Sequence, residues 1–401
     1  MNRQLFGFSL PVKLNKSFFF VFAILLLLLS CDSSVNRVEH QKPFDPNHDY
    51  FPHKVTVNHA KGFRISYFNN YKVLELIDPF NKKAETVRYA LVQRGTPHPK
   101  GFIASQIIEI PIRSLITLSS THVALTDFLE SNKIVVGLSD TGYVCNSEIR
   151  QLIKDKKIKH VGQSRSLNNE LVISMNPDLL MSVGLPSNRS GNHQTLIESG
   201  IKVLVNSEWM ETTALGRTEW VKLLAVLLNK EQLVNDKFTI VEHKYQEACR
   251  IVKLAKNKPT VFMGMNYKGT WFVPGGNSYM ANLMKDAGAN YHWKNTTSTG
   301  SLELSMEDIY KEALYSTHWF NPGKPSSLDE IIEVDIRNKK FKSLKTGNIF
   351  NYTKKECIDG GNDYWESGLV NPHLVLSDII KVLHPELLPN YETVYYEKLK
   401  R

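Results

Sequence analysis

Aromatic and hydroxyl side chains collect where strands give way to loops in this sequence. In the first half they are Ser119, Thr121, His122, Tyr143 and Trp209; in the second they are Asn266, Tyr267, Trp271, Phe272, Trp319, Tyr364 and Trp365. Residues of these types suit the capture of a flat, partly apolar ligand by stacking and area burial. The segment Trp271-Phe272-Val273-Pro274-Gly275-Gly276 is the best single candidate, because its glycines let the backbone approach a ligand. A second, from Gly360 to Gly368, carries glycine at both ends and presents Tyr364 and Trp365. The expected ligand-binding set is therefore Thr121, His122, Tyr143, Trp209, Tyr267, Trp271, Trp319, Tyr364 and Trp365.

Charged and metal-binding residue types narrow the chemistry. Arg165, Arg189 and Arg217 could pair with an anionic chelate. His122, His193, His318 and His373 lie near loops, but a bare transition metal needs three or four convergent ligands. Neither a cluster of that kind nor a His-rich loop is present, so no resident metal and no cofactor is expected. A single axial His or Tyr on haem or a corrinoid stays open. The net charge of +9 falls to about +6 once Arg3, Lys13 and Lys16 of the first 30 residues are set aside, and that mild excess suits an anionic ligand or membrane surface. No basic block interleaved with aromatics argues for nucleic acid. Met263-Gly264-Met265-Asn266 lacks the glycine fingerprint of a dinucleotide site, and no P-loop or nucleophile elbow occurs. An enzyme on a Rossmann-like scaffold is the rival reading, and these absences count against it.

The element that would position these residues is the stretch Asn229 to Asn257. Val234, Phe238, Val241, Tyr245, Ala248, Val252 and Ala255 recur at steps of four and three, which places them on one helix face. Asn229 reads as the N-cap, and Pro259 ends the segment. A helix of that span is about 42 Å long. It reads as a strut between two lobes. Before it, strands at 115–118, 134–138, 179–183 and 201–205 alternate with helices at 121–130, 147–154, 169–175 and 194–199. After it, strands at 260–263, 316–320 and 348–352 alternate with helices at 279–286, 306–313, 328–333 and 371–383. Such alternation means parallel sheets covered by helices, which bind ligands beyond the carboxyl ends of their strands. Phe63–Phe68 and Tyr71–Ile77 alternate around Asn69-Asn70 as a β-hairpin, and Arg88–Gln93 adds a third strand.

The fold expected is α/β: two Rossmann-like lobes joined by one long α-helix, with a small N-terminal β elaboration. The divisions are 55–106 for the β elaboration, 107–212 for the first lobe, 213–258 for connecting helices and 259–401 for the second lobe with its closing helix. At 401 residues the chain is long enough for two cores.

Lys13 and Lys16 precede an apolar run from Phe18 to Leu29, too short to span a bilayer permanently and suited to a secretory signal over 1–30. The run ends Leu28-Leu29-Ser30-Cys31, which resembles a bacterial lipobox. That resemblance implies a lipidated Cys31 followed by a flexible tether to residue 54, and a place in the cell envelope outside the cytoplasmic membrane. Cys145, Cys249 and Cys357 then remain, without metal-ligand spacing. One disulfide at most is possible, and unpaired small core residues are the expectation.

From Pro111 to Pro389 the chain resembles the substrate-binding proteins of bacterial ABC importers, of the cobalamin and ferric-siderophore type. The resemblance rests on Leu118-Ser119-Ser120-Thr121-His122, Lys133 to Ser139, Glu170 through Pro177-Asp178-Leu179-Leu180, and the strut. It also rests on Pro274 to Tyr279, Ala287-Gly288 and Val382-Leu383-His384-Pro385-Glu386. It implies a monomer that captures a metal chelate between its lobes, a ferric siderophore or similar iron complex, with cobalamin or haem as the alternative. It further implies delivery to an ABC transporter permease, with Glu170 and Glu307, one per lobe, pairing with permease arginines. Charges on separate lobes would fix orientation and lobe spacing on a two-fold partner.

Overall fold

In the computed structural model, residues 7, 44–78, 85–163, 166–186 and 193–401 are described. Cys31, the leader, Arg165 and Arg189 lie outside them. The expected alternation of strands and helices resolves into two separate five-stranded sheets. The first runs in the order Val203–Asn206, Leu179–Val183, Leu115–Thr117, Val135–Leu138, Lys159–His160, all parallel. The second runs Asn290–Tyr291, Thr260–Met263, His318–Phe320, Ile349–Asn351, Glu397–Lys398, parallel except for the last pair. Each central strand is buried on both faces, which is why Leu179–Met181 and Val261–Met263 read as unbroken apolar runs.

The strut is the helix Glu231–Val252, 22 residues and about 33 Å long, shorter at both ends than the periodicity implies. Its buried face is the expected one: Val234, Phe238, Val241, Tyr245 and Ala248. Val234 and Phe238 join the first lobe's core, whereas Tyr245 and Ala248 join the second lobe's. One helix thus belongs to both cores. The preceding helical segment is two helices, Ala214–Glu219 and Val221–Leu228, meeting at the buried Trp220. Asn229 is not the N-cap of the strut. It takes the left-handed conformation at φ 54° and ends the helix before it.

The hairpin Phe63–Tyr67/Tyr71–Leu76 is present in the expected register, with Val87–Gln93 beside it. A fourth strand, Ile107–Ile110, pairs in parallel with the third. Buried charges weld this sheet to the connecting helices. Lys72 is wholly buried and donates to the Val226 carbonyl (2.7 Å) and Asn229 Oδ1 (2.8 Å), beside the Glu231 carboxylate. Glu219 accepts the main-chain N–H groups of Asn58, His59 and Ala60 and pairs with Lys222. Glu211 accepts those of Lys61 and Gly62. No described helix is long and apolar enough to cross a membrane.

Candidate functional site

Residues 45–401 form one compact unit, so the two sheets can be related directly. Their carboxyl-end loops meet. The turn Thr141–Tyr143 of the first lobe packs on the turn Ile358–Gly360 of the second. The fit is close enough that a Cβ on Gly361 would collide with the Tyr143 backbone. Cys145 and Cys357, in these loops, form a disulfide with Cα atoms 5.6 Å apart. This corrects the expectation of unpaired cysteines; among the described residues Cys249, half-buried on the strut, is free. Pairing needed two residues 212 apart in the chain to fall in loops that face each other. The expected secretory signal, together with two cysteines shortly after strands of different lobes, was the available clue.

Other ties cross between the lobes. The Glu366 carboxylate accepts the N–H groups of Cys145 (2.8 Å) and Asn146 (2.7 Å). Thr218 Oγ1 donates to the Leu369 carbonyl at 2.6 Å, and Asn282 Nδ2 to the Thr212 carbonyl at 3.0 Å. Arg217 donates to the carbonyls of Trp209 and Glu211, and its guanidinium lies 3.8 Å from the centroid of the Tyr279 ring. Next to it, Glu208 is buried, and burial pushes its carboxyl up. The Thr121 side chain and the Arg217 charge oppose that shift. One Glu208 oxygen has no partner among the described residues. Glu208, Tyr279 and Glu366 were not expected from the sequence, because each depends on contacts between distant segments.

The expected aromatics divide into two groups. Tyr143 (56% exposed), Trp209 (42%), Tyr267 (64%) and Trp365 (45%) are exposed in the segments that follow the carboxyl ends of the sheet strands. Trp271, Trp319, Tyr364 and His122 do not. Trp271 and Trp319 are fully buried, 5.5 Å apart by ring centroids, in a cluster with Phe262 and Phe341. Their indole N–H groups are satisfied by the carbonyls of Met263 and Gly264. Tyr364 stacks on Tyr352 at 4.4 Å. His122 is fully buried in the first turn of Ser120–Phe128, and burial pulls its imidazole down to about 3. These four side chains are core, with no face left for a ligand. Thr121 is half-buried, its hydroxyl 2.9 Å from that of Ser119, which caps the same helix. Of the strand Thr270–Pro274, Phe272 is the aromatic that faces out.

No group of three His, Cys, Asp or Glu suited to a metal ion occurs among the described residues. A cavity of about 870 Å³ lies on the strut side of the disulfide, lined by Lys237, Val241, Cys145, Cys357 and Glu366 among others. None of the four exposed aromatics lines it, and of its four lysines, Lys237, Lys244, Lys354 and Lys355, Lys237 pairs with Glu130 and Lys355 with Asp363. Glu170 and Glu307 are exposed in the first turns of Asn169–Met175 and Met306–Ala313, where helix dipoles favour acids.

Comparison with known proteins agrees with this architecture. The chain is 28% identical over 305 residues to an uncharacterized lipoprotein of Methanocaldococcus jannaschii, covering 73% of this chain and 70% of that one. Among solved structures it is similar to a possible iron-binding, periplasmic solute-binding protein of Staphylococcus epidermidis (17% identity, 68% of this chain and 99% of that chain, TM-score 0.53). It is also similar to a periplasmic heme-binding protein of Pseudomonas aeruginosa (16% identity, 68% and 93%, TM-score 0.52). The family model of the periplasmic binding proteins matches residues 115–354, more than half of the chain. The four-stranded N-terminal sheet precedes that match. The two facing sheets, the shared strut and this match place the chain in the periplasmic binding protein family, a family of solute-binding proteins and not of enzymes.

Proposed function

We propose that this protein captures a metal chelate of flat, partly apolar outline, a ferric siderophore or similar iron complex, between its lobes and hands it to an ABC transporter permease. The observation that carries the reading is the set of exposed aromatics, Tyr143, Trp209, Tyr267 and Trp365, in the segments that follow the carboxyl ends of strands in both sheets. Arg217 adds a cation among them. Stacking on such faces recognises the outer surface of a chelate whose metal is already wrapped. The solved relatives named for iron and heme binding support this class of ligand. A cobalamin or haem would use the same faces. Cys31 would carry the lipid that holds the protein at the outer side of the cytoplasmic membrane, in keeping with the lipoprotein relative.

The test is to purify the protein from rich medium and identify what accompanies it by absorbance and mass. Thermal melts with ferric tris-catecholate, haemin and cyanocobalamin then follow. A true ligand at a hundredfold its Kd stabilises by about 2.7 kcal/mol. Stabilisation by none of the three overturns the reading; stabilisation by cyanocobalamin or haemin alone replaces the iron siderophore with that ligand.

A further inference from the structure

Tyr143 and Trp365, both exposed, stand on loops of different lobes that the same few bonds tie together. Tyr143 ends a turn of the first lobe and lies two residues before Cys145. Trp365 belongs to the second lobe and directly precedes Glu366. Glu366 is only 3% exposed, and both of its carboxylate oxygens are spent on the first lobe, on the N–H groups of Cys145 and Asn146. Asn146 is itself fixed to the first lobe, donating to Asp127 at 2.8 Å and accepting from the N–H of Ile149. The disulfide to Cys357 ties the same two-residue stretch a second time, and the Cys357 N–H donates to the Gly361 carbonyl at 2.7 Å. Gly361 in turn lies directly against the backbone of Tyr143, where a side chain would not fit. Farther out, Arg150 and Asp359 face each other at 3.8 Å.

We propose that Glu366 and the Cys145–Cys357 disulfide form a clasp between the lobes that fixes the spacing of the loops carrying Tyr143 and Trp365, and so selects ligands by the width they present there. The inference rests on the ligand reading above for its selecting role, and on geometry alone for the clasp. Glu366 is a positioning residue in this scheme: it touches the backbone that carries one aromatic and adjoins the other. A carboxylate is needed because two N–H donors converge on it; an amide offers one acceptor and turns its NH₂ toward the second donor.

Full-length wild type is compared with Glu366→Gln, and with Cys145→Ser/Cys357→Ser, by amide hydrogen exchange at pH 8 and by binding of ferric tris-catecholate and haemin. In Glu366→Gln the amides of Cys145 and Asn146 should exchange about tenfold faster or more, while those of the central strand Leu179–Val183 are unchanged. The ratio of affinities for the two chelates, which differ in thickness, should shrink by about tenfold as the spacing relaxes. The double Ser variant should shrink it too; should that variant fail to fold, Glu366→Gln decides. Unchanged exchange at the two amides overturns the clasp. Faster exchange with an unchanged affinity ratio overturns the selecting role. If wild type binds neither chelate, the ligand reading falls and the selecting role with it, while exchange at the two amides still decides the clasp.

Discussion

His122 separates a core role from a ligand role by measurement. Its ring is fully buried, and neither nitrogen has a partner among the described residues. Burial holds it neutral, with its pKa pulled from 6.5 down to about 3. A histidine depressed in this way contributes stability above its unfolded pKa and loses it as pH falls, because the unfolded chain takes up a proton that the folded chain refuses. The loss therefore begins near pH 6.5 and continues toward pH 3. At 1.36 kcal/mol per pH unit, it reaches about 2 kcal/mol at pH 5 and about 4 kcal/mol near pH 3. His122→Phe removes the titration and keeps a ring of similar shape. Any packing cost of the added volume applies equally at every pH and cancels in a difference between pH values. Urea unfolding of wild type and His122→Phe at pH 8 and pH 5 gives that difference. The variant should gain about 2 kcal/mol relative to wild type on going from pH 8 to pH 5. Chelate affinity at pH 8 should not change. Parallel pH dependence in the two proteins refutes the buried neutral imidazole, and a fall in affinity returns His122 to the binding site.

Other perturbations follow from the same geometry. Trp271→Ala should cost about 3–5 kcal/mol in urea unfolding, whereas Tyr143→Ala and Trp365→Ala should cost little stability and weaken chelate binding. A stable Trp271→Ala, or unaltered binding in both of the others, contradicts the division into core and open aromatics. Lys72→Met strands the Glu231 charge in the interior and should cost about 3–5 kcal/mol, while Lys72→Met/Glu231→Leu should recover most of it. Purely additive losses would mean the two charges are uncoupled. Reversing Glu170 and Glu307 together to Lys should abolish uptake in cells with chelate affinity intact; reduced affinity would remove the docking role from both. Burial raises the Glu366 carboxyl to about 7, with Asp363 and Asp127 adding to the effect. Charging it therefore costs stability between its ordinary 4.5 and 7, so wild type should lose stability relative to Glu366→Gln as pH rises through that window, measured by thermal melts.

What could be read in advance, and what could not, follows the reach of the interactions involved. The strut's buried face was legible because steps of three and four residues are a local property, and Val234 through Ala248 obey it. Its start was not. Asparagine caps a helix N-terminus and also tolerates the left-handed turn after a helix, so Asn229 suits either role. The choice was made by Lys72, from a strand far back in the chain, which takes the Asn229 side-chain oxygen that a cap would have used. The aromatics fail for a similar reason. Trp271, Trp319 and Trp365 look alike in sequence, but the first two lie on strands packed into the core with their indole N–H groups on the carbonyls of Met263 and Gly264, whereas Trp365 lies in a turn and stays exposed. The buried carboxylates Glu211, Glu219 and Glu366 each collect main-chain N–H groups from segments about 150 residues or more away, and no local pattern encodes that. These same contacts hold the N-terminal sheet to the connecting helices and one lobe to the other. The features that distinguish this chain from a plain pair of α/β lobes are therefore carried by buried, hydrogen-bonded carboxyl and ammonium side chains, whose loss costs more than a surface contact does. Substitutions at Glu219 or Lys72 should accordingly detach the added sheet while leaving the strand-end aromatics in place, and a chain so altered that still binds its chelate would assign that sheet to something other than ligand capture.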